Sequence, residues 1–161
     1  MNISEYNRCV DDVSDGLYRF LLKNTKEREL ARDLVQEAFL RLWERHKEVE
    51  AGKGKSWLFT TAYRAMIDHI RKHKRMEALE TSKHKTGSVE HSYSDLKEIL
   101  SKAVEQLPAD QRSVILLRDY EGYSYREISE ITGLSDNQVK VYIFRARMFL
   151  KKFIGKPEYV I

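Results

Sequence analysis

SDNQVKVYIFRARMFLKKF, residues Ser135 to Phe153, carries two patterns at once. Val139, Tyr142, Ile143, Ala146, Phe149, Leu150 and Phe153 recur at three- and four-residue spacing, which predicts a helix with one buried stripe. The opposite side holds Asn137, Lys140, Val141, Phe144, Arg145, Lys151 and Lys152, too basic and too rich in reaching side chains for an ordinary solvated face. Immediately upstream, YSYREISEITG (Tyr123–Gly133) is a short helical pattern with Ile128 and Ile131 apolar, closed by the turn Gly133-Leu134-Ser135. Ser124-x-x-Glu127 and Ser135-x-x-Gln138 both fit the capping box, so each serine is expected to start a helix. Short helix, glycine turn and longer basic helix form the helix-turn-helix layout, whose second helix enters a DNA major groove.

Composition agrees with small helical modules. The chain has 161 residues, 42% of them apolar, with only seven Gly and two Pro, too few for a loop-rich all-β fold. Net charge is +4, but the distribution says more than the sum. Residues 57–75 and 136–161 are strongly basic, 1–56 are balanced, and 76–110 are acidic. Two basic blocks on two expected helices fit two contacts with a polyanion better than one diffuse patch. The single Cys9 excludes an internal disulfide and any cysteine-based zinc site, and points to an intracellular protein. MNISEYNRCVDDV lacks a signal layout, and no apolar run approaches the ~20 residues of a membrane span, so a soluble, cytoplasmic protein is expected.

Working outward from the basic helix, residues 3–24 read as a first helical segment, with Leu17, Tyr18, Phe20, Leu21 and Leu22 apolar. A second helix is expected at 27–47, where Ala31, Leu34, Val35, Ala38, Phe39 and Leu42 share one face. A further line at helical spacing, Asp33, Gln36, Glu37 and Leu40, is either a solvated acidic face or a partner surface, and Leu40 favours the partner. RHKEVEAGKGKS (45–56) is a polar loop. Its Gly54-Lys55-Ser56 is not the end of a phosphate-binding loop, because Val49 stands where that motif needs glycine and no strand precedes it.

A third helix is expected at 56–75, burying Leu58, Phe59, Ala62, Tyr63, Met66, Ile67 and Ile70. Thr60, Arg64, Asp68, Arg71, Lys72 and Arg75 lie outside that stripe. Four cations among the five residues 71–75 exceed what a helix C-terminus alone explains. His69 and His73 stand four apart, but the Glu of HExxH is missing and the cationic surroundings repel a divalent ion, so no metal site is expected. Periodicity fades over 76–94, the best domain boundary. As a flexible chain of ~20 residues it spans roughly 25 Å. Four helices are expected beyond it: one at 95–106, one opening at Pro108 and ending at Gly122, and the helix-turn-helix pair.

The series DLVQEAFLRLWE (33–44), WLFTTAYRAMIDHIRKHKR (57–75) and LPADQRSVILLRDYEGYSYREISEITGLSDNQVKVYIFRARMFLKKF (107–153) resembles a bacterial sigma factor of the extracytoplasmic-function (ECF) group. The resemblance covers about residues 8–153. It implies an all-α fold of two small helical domains: region 2 at 1–75, a flexible linker at 76–94, and region 4 at 95–155. It also implies a factor that directs core RNA polymerase to promoters, with no catalysis of its own and no cofactor, metal or small-molecule substrate. Asp33, Gln36, Glu37 and Leu40 match the surface docked on the clamp helices of the largest polymerase subunit, and the β flap is the counterpart implied for region 4. Arg64, Asp68, Arg71, Lys72 and Arg75 match the helix that opens and reads the −10 element, with loop 45–56 set to form a base pocket. Asn137, Lys140, Val141, Phe144, Arg145 and Lys151 match the −35 reader. Trp57 reads as core rather than as a base-stacking residue. Many members carry Asn at the position of Arg64, which puts the common −10 preference in doubt. An anti-sigma factor is a partner the resemblance allows, though no residue identifies one.

Two other classes fit the sequence less well. A helix-turn-helix regulator that binds duplex DNA as a dimer would need a ligand pocket or phospho-acceptor cluster in its first half, and Asp11, Asp12 and Asp15 precede no strand. A nuclease or recombinase would need a His beside paired carboxylates, and the five His are scattered.

Overall fold

A computed structural model describes residues 1–79 and 96–155. The first half contains α1 (Ile3–Thr25), α2 (Arg28–Arg45), two single turns at His46–Glu48 and Ala51–Lys53, and α3 (Gly54–Leu79). The second contains α4 (Leu96–Gln106), α5 (Ala109–Ile115), α6 (Tyr125–Thr132) and α7 (Asp136–Ile154). No strand occurs among the described residues. The fold is all-α, as the sequence pattern indicated.

Local chemistry fixes the ends. Asn2 caps α1, its Oδ1 accepting from the Glu5 N–H at 2.8 Å while the Asn2 N–H donates to Glu5 Oε1 at 2.9 Å. α1 stops at Lys26, whose left-handed backbone (φ 60°) returns its N–H to the Leu22 carbonyl. α3 differs from the expected span at both ends, running two residues earlier than Ser56 and four later than Arg75. Residues 76–79, expected as linker, are therefore helical. Met, Glu, Ala and Leu are strong helix formers, and Glu77 meets His73 at 3.2 Å one turn away. The rest of the expected linker, 80–94, and Asp95 lie outside the described residues.

α5 does not end at Ile115 but continues as a wider π-type turn over Leu116–Tyr120, with the Glu121 N–H reaching the Leu116 carbonyl at 3.2 Å. The sequence showed only a helix ending at Gly122. Gly122 and Gly133 both adopt positive φ, at 77° and 78°, where a side chain would be strained.

Helices α1, α2 and α3 pack mutually around Leu17, Phe20, Leu21, Leu34, Ala38, Leu42, Leu58, Phe59, Ala62 and Met66. Helices α4 to α7 pack around Val104, Leu107, Val114, Ile115, Leu116, Leu117, Ile128, Ile131, Val139, Ile143 and Ala146. Full burial of each large side chain contributes about 1.5–3 kcal/mol. The two sets are parts of one continuous apolar core, because α3 lies on α6 and α1 on α5. Phe59 bridges them, with its ring 5.5 Å from Phe20 on one side and edge-to-face with Tyr123 at 5.5 Å on the other.

Polar groups join the halves as well. Buried Ser113 donates to Asn24 Oδ1 at 3.0 Å, and Asn24 Nδ2 donates to the Phe20 carbonyl at 2.9 Å. Arg112 donates to the Asn24 carbonyl at 3.3 Å and to the carbonyls of Val104, Glu105 and Leu107. One guanidinium thus satisfies acceptors left open at the end of α4 and ties α5 to the end of α1.

Candidate nucleic-acid interface

The helix-turn-helix is set by two reciprocal caps. Ser124 Oγ accepts from the Glu127 N–H at 3.2 Å and Ser135 Oγ from the Gln138 N–H at 3.1 Å, while the two serine N–H groups donate back to Glu127 and Gln138. Thr132 and Ser129 hold the Gly133–Leu134 turn through the Ile128 and Leu134 carbonyls. Val139, Ile143 and Ala146 turn α7 inward, which leaves Asn137, Lys140, Val141, Phe144, Arg145 and Lys151 all exposed. Phe144 is 66% exposed and Val141 43%. Apolar side chains standing out among cations on one helix suit contact with a base edge, including the thymine methyl.

Met148, also 42% exposed, continues the line of Val141 and Phe144 and was missed from sequence. The signal was available: 141, 144 and 148 follow i, i+3, i+7. Arg147 is a different case. It donates to Asp119 Oδ1 at 2.8 Å, and that bond raises its pKa, so its charge is engaged within the fold.

A second cationic face lies on α3. Arg64, Asp68, Arg71, Lys72 and Arg75 are exposed at helical spacing, and none of the four cations pairs with a carboxylate among the described residues. Near its N-terminal end a cavity of about 430 Å³ is lined by Arg41, Glu44, Arg45, Trp57, Thr61 and Arg64. Arg64 and Trp57 therefore meet in one recess with two further arginines from the end of α2. Trp57 is half-buried, packing on the core while it borders this recess. Arg41 and Arg45, one turn apart at the end of α2, and Thr61 on α3 escape a reading of the sequence because no motif links the two helices. Arg41 also pairs with Glu37 at 2.6 Å. The loop is anchored from beneath: Val49 is buried, the His46 ring stacks on Trp43 at 4.5 Å, and Tyr6 donates to the Phe39 carbonyl at 2.8 Å.

The third surface is the outer line of α2. Asp33, Gln36 and Leu40 are exposed and Glu37 is half-buried, with Leu40 58% exposed and Trp43 42%. Leu40 and Trp43, three residues apart, form an apolar spot bordered by acids. His69 and His73 stack with centroids 6.3 Å apart on the other side of α3. No helix among the described residues is long and apolar enough to cross a membrane.

The chain as a whole is similar to known proteins. Residues 9–76 match the family model described as Sigma-70 region 2, and residues 97–150 the model described as Sigma-70, region 4. The chain is similar to the ECF RNA polymerase sigma factor SigM of Bacillus subtilis, with 35% identity over 97% of each chain. It is also similar to the RNA polymerase sigma factor SigV of the same organism, with 30% identity over 93% of this chain and 91% of that one. Among solved structures, the sigma factor RpoE of Bartonella quintana, in complex with the anti-sigma factor NepR, gives a TM-score of 0.80 at 25% identity, covering 96% of this chain and 99% of that one. CnrH, in complex with the cytosolic domain of CnrY, shares the fold, with a TM-score of 0.68 at 21% identity over 97% of this chain and 91% of that one.

Proposed function

Because the chain belongs to the ECF group of sigma-70 family RNA polymerase sigma factors, and so acts in transcription initiation, we propose that it reads promoters with two separate helical faces. The observation that carries this reading is the pair of exposed cationic faces on α3 and α7, one on each helical unit, with the acid-bordered apolar line of α2 left open beside them. Region 2 extends from the N-terminus through α3, and region 4 spans 95–155, beyond the linker.

Asp33, Gln36, Glu37 and Leu40 dock on the clamp helices of the largest polymerase subunit. An i, i+3, i+4, i+7 line is the geometry of helix-on-helix docking. Region 4 meets the β flap. On DNA, Lys140, Val141, Phe144 and Arg145 face base edges of the −35 element in the major groove, with Asn137 and Lys151 on its phosphates. Arg145 can pair bidentately with a guanine, and Phe144 and Val141 favour thymine methyls or silent positions.

At −10, melting has to catch a base once it leaves the stack, which needs a recess, an aromatic or apolar wall and cations for the strand. The recess among Arg41, Arg45, Trp57, Thr61 and Arg64 has those parts. Arg71, Lys72 and Arg75 then follow the backbone along α3, and Asp68 lends a polar acceptor between them. The chain itself performs no bond chemistry in this mechanism. It acts where polymerase and promoter meet, in the cytoplasm. Since the similar RpoE is solved bound to the anti-sigma factor NepR, a partner of that class is proposed here too.

Transcription by bacterial core polymerase with and without the chain tests the reading. Initiation at a subset of promoters supports it, and tight specific duplex binding without polymerase supports instead a conventional helix-turn-helix regulator.

A further inference from the structure

We propose that the recess between α2 and α3 holds a guanine taken out of the −10 duplex, and that Glu44 is the residue that selects it. This deepens the sigma-factor reading above and rests on it.

The recess is built from two facing helical lines. Arg41, Glu44 and Arg45 follow i, i+3, i+4 over the last turns of α2, and Trp57, Thr61 and Arg64 follow i, i+4, i+7 along α3. Together they line the cavity of about 430 Å³, a size within the roughly 300–1,000 Å³ of small-ligand sites. Its charges are not equivalent. Arg41 is held by Glu37 at 2.6 Å. Glu44, Arg45 and Arg64 are exposed and form no ion pair among the described residues.

Glu44 decides what the recess can bind. A path for phosphates alone gains from each arginine and loses from a carboxylate standing among them, because like charges repel. A base edge removes that conflict. An ionised carboxylate only accepts, through two oxygens, and a guanidinium only donates, through a fixed fork. The occupant must therefore show donors to Glu44 and acceptors to an arginine.

Guanine alone sets two donor groups side by side, N1–H and the N2 amino group, opposite both carboxylate oxygens. On its other edge, O6 and N7 meet an arginine fork. Cytosine and adenine each offer Glu44 a single amino group. Thymine flanks its one N–H with two carbonyls, which repel the carboxylate. Arg64 supplies the fork from α3, across the recess from Glu44. Arg45 follows Glu44 in the chain and so points roughly 100° away from it around α2, which leaves it for an adjoining phosphate. Half-buried Trp57, on the same face of α3 as Arg64, gives the base a surface to stack on.

Bacterial core polymerase carrying the full chain, bound to forked promoter templates, tests the assignment. Each displaced −10 position in turn carries guanine, adenine, cytosine, thymine, inosine, which lacks the N2 amino group, or 7-deazaguanine, which lacks the N7 acceptor. One position is expected to prefer guanine, with either analogue there weakening binding about 5- to 10-fold. Glu44→Gln should bring the guanine-to-inosine ratio at that position to about one while keeping the 7-deazaguanine penalty. Arg64→Ala should do the reverse. No guanine preference at any −10 position, guanine and inosine held alike by wild type, or a Glu44→Gln effect equal across all bases would overturn the assignment and leave the sigma-factor reading standing. A chain that gives core polymerase no initiation at any promoter would remove both.

Discussion

Ser113 donates its hydroxyl proton to Asn24 Oδ1 across 3.0 Å, a buried bond between residues 89 apart in the chain. It lies where the end of α1 meets α5, so it couples the stability of one half to the other. Ser113→Ala leaves the Asn24 acceptor buried and unsatisfied, at a cost of about 1–3 kcal/mol. Asn24→Ala/Ser113→Ala, which removes both partners, should be less destabilising than the two single variants added together. A double-mutant cycle by urea denaturation measures the coupling.

Leu40 offers a cleaner separation of folding from function. It is 58% exposed on α2, so Leu40→Asp should change stability by no more than about 0.5 kcal/mol. If it anchors polymerase, affinity for core should fall by at least about tenfold, since central apolar anchors carry much of such interfaces. Fluorescence anisotropy with core polymerase, beside a thermal melt of the free chain, reads both quantities.

The cations of α7 divide by what they touch. Arg145→Ala is expected to cost about 1–3 kcal/mol at particular −35 positions and to relax preference there. Lys151→Ala should weaken all −35 sequences alike and reduce the salt slope by about one unit. Transcription over single-base −35 variants at several salt concentrations distinguishes the two. Met148→Ala, beside Phe144, should behave like the base readers.

Alkali should destabilise the chain. Burial raises the pKa values of Tyr6, Tyr63, Tyr120 and, most strongly, Tyr123. A phenol whose folded pKa lies above its unfolded one contributes stability that is fully present below pH ~10 and lost as pH rises beyond it, because only the unfolded chain then releases the proton. Lys23 opposes this: burial lowers its pKa from 10.5, so its desolvation penalty is relieved as pH approaches 10. One half-buried lysine against four tyrosines leaves the net slope negative. Stability followed by circular dichroism should therefore fall as pH rises above about 10, and the phenolate absorbance of Tyr123 should appear together with unfolding.

Much of this was legible in the sequence. The stripes of α2, α3 and α7 appear as repeats of Leu34, Ala38 and Leu42, of Leu58, Ala62 and Met66, and of Val139, Ile143 and Ala146, because a helix that buries one face has to space its apolar residues so. Caps at Ser124 and Ser135 were readable because both partners lie within four residues. What escaped was the long-range part. Arg41, Arg45 and Arg64 share a recess, and Glu121 meets Gly16 and Arg19, because of how α1, α2, α3 and α5 pack. No local pattern records that packing. The π-type turn after Ile115 escaped for a related reason, since LLRDY is as compatible with a regular helix.

The central claim is that this chain directs core polymerase to promoters by joint −35 and −10 readout. The most direct measurement is in vitro transcription by core polymerase over a library randomised at both elements, with the chain as the sole added factor. The account predicts initiation from a subset enriched at both positions, with the −35 enrichment altered specifically by Arg145→Ala. Equal recovery of every library member, or nanomolar specific binding to the duplex library without polymerase, would contradict it.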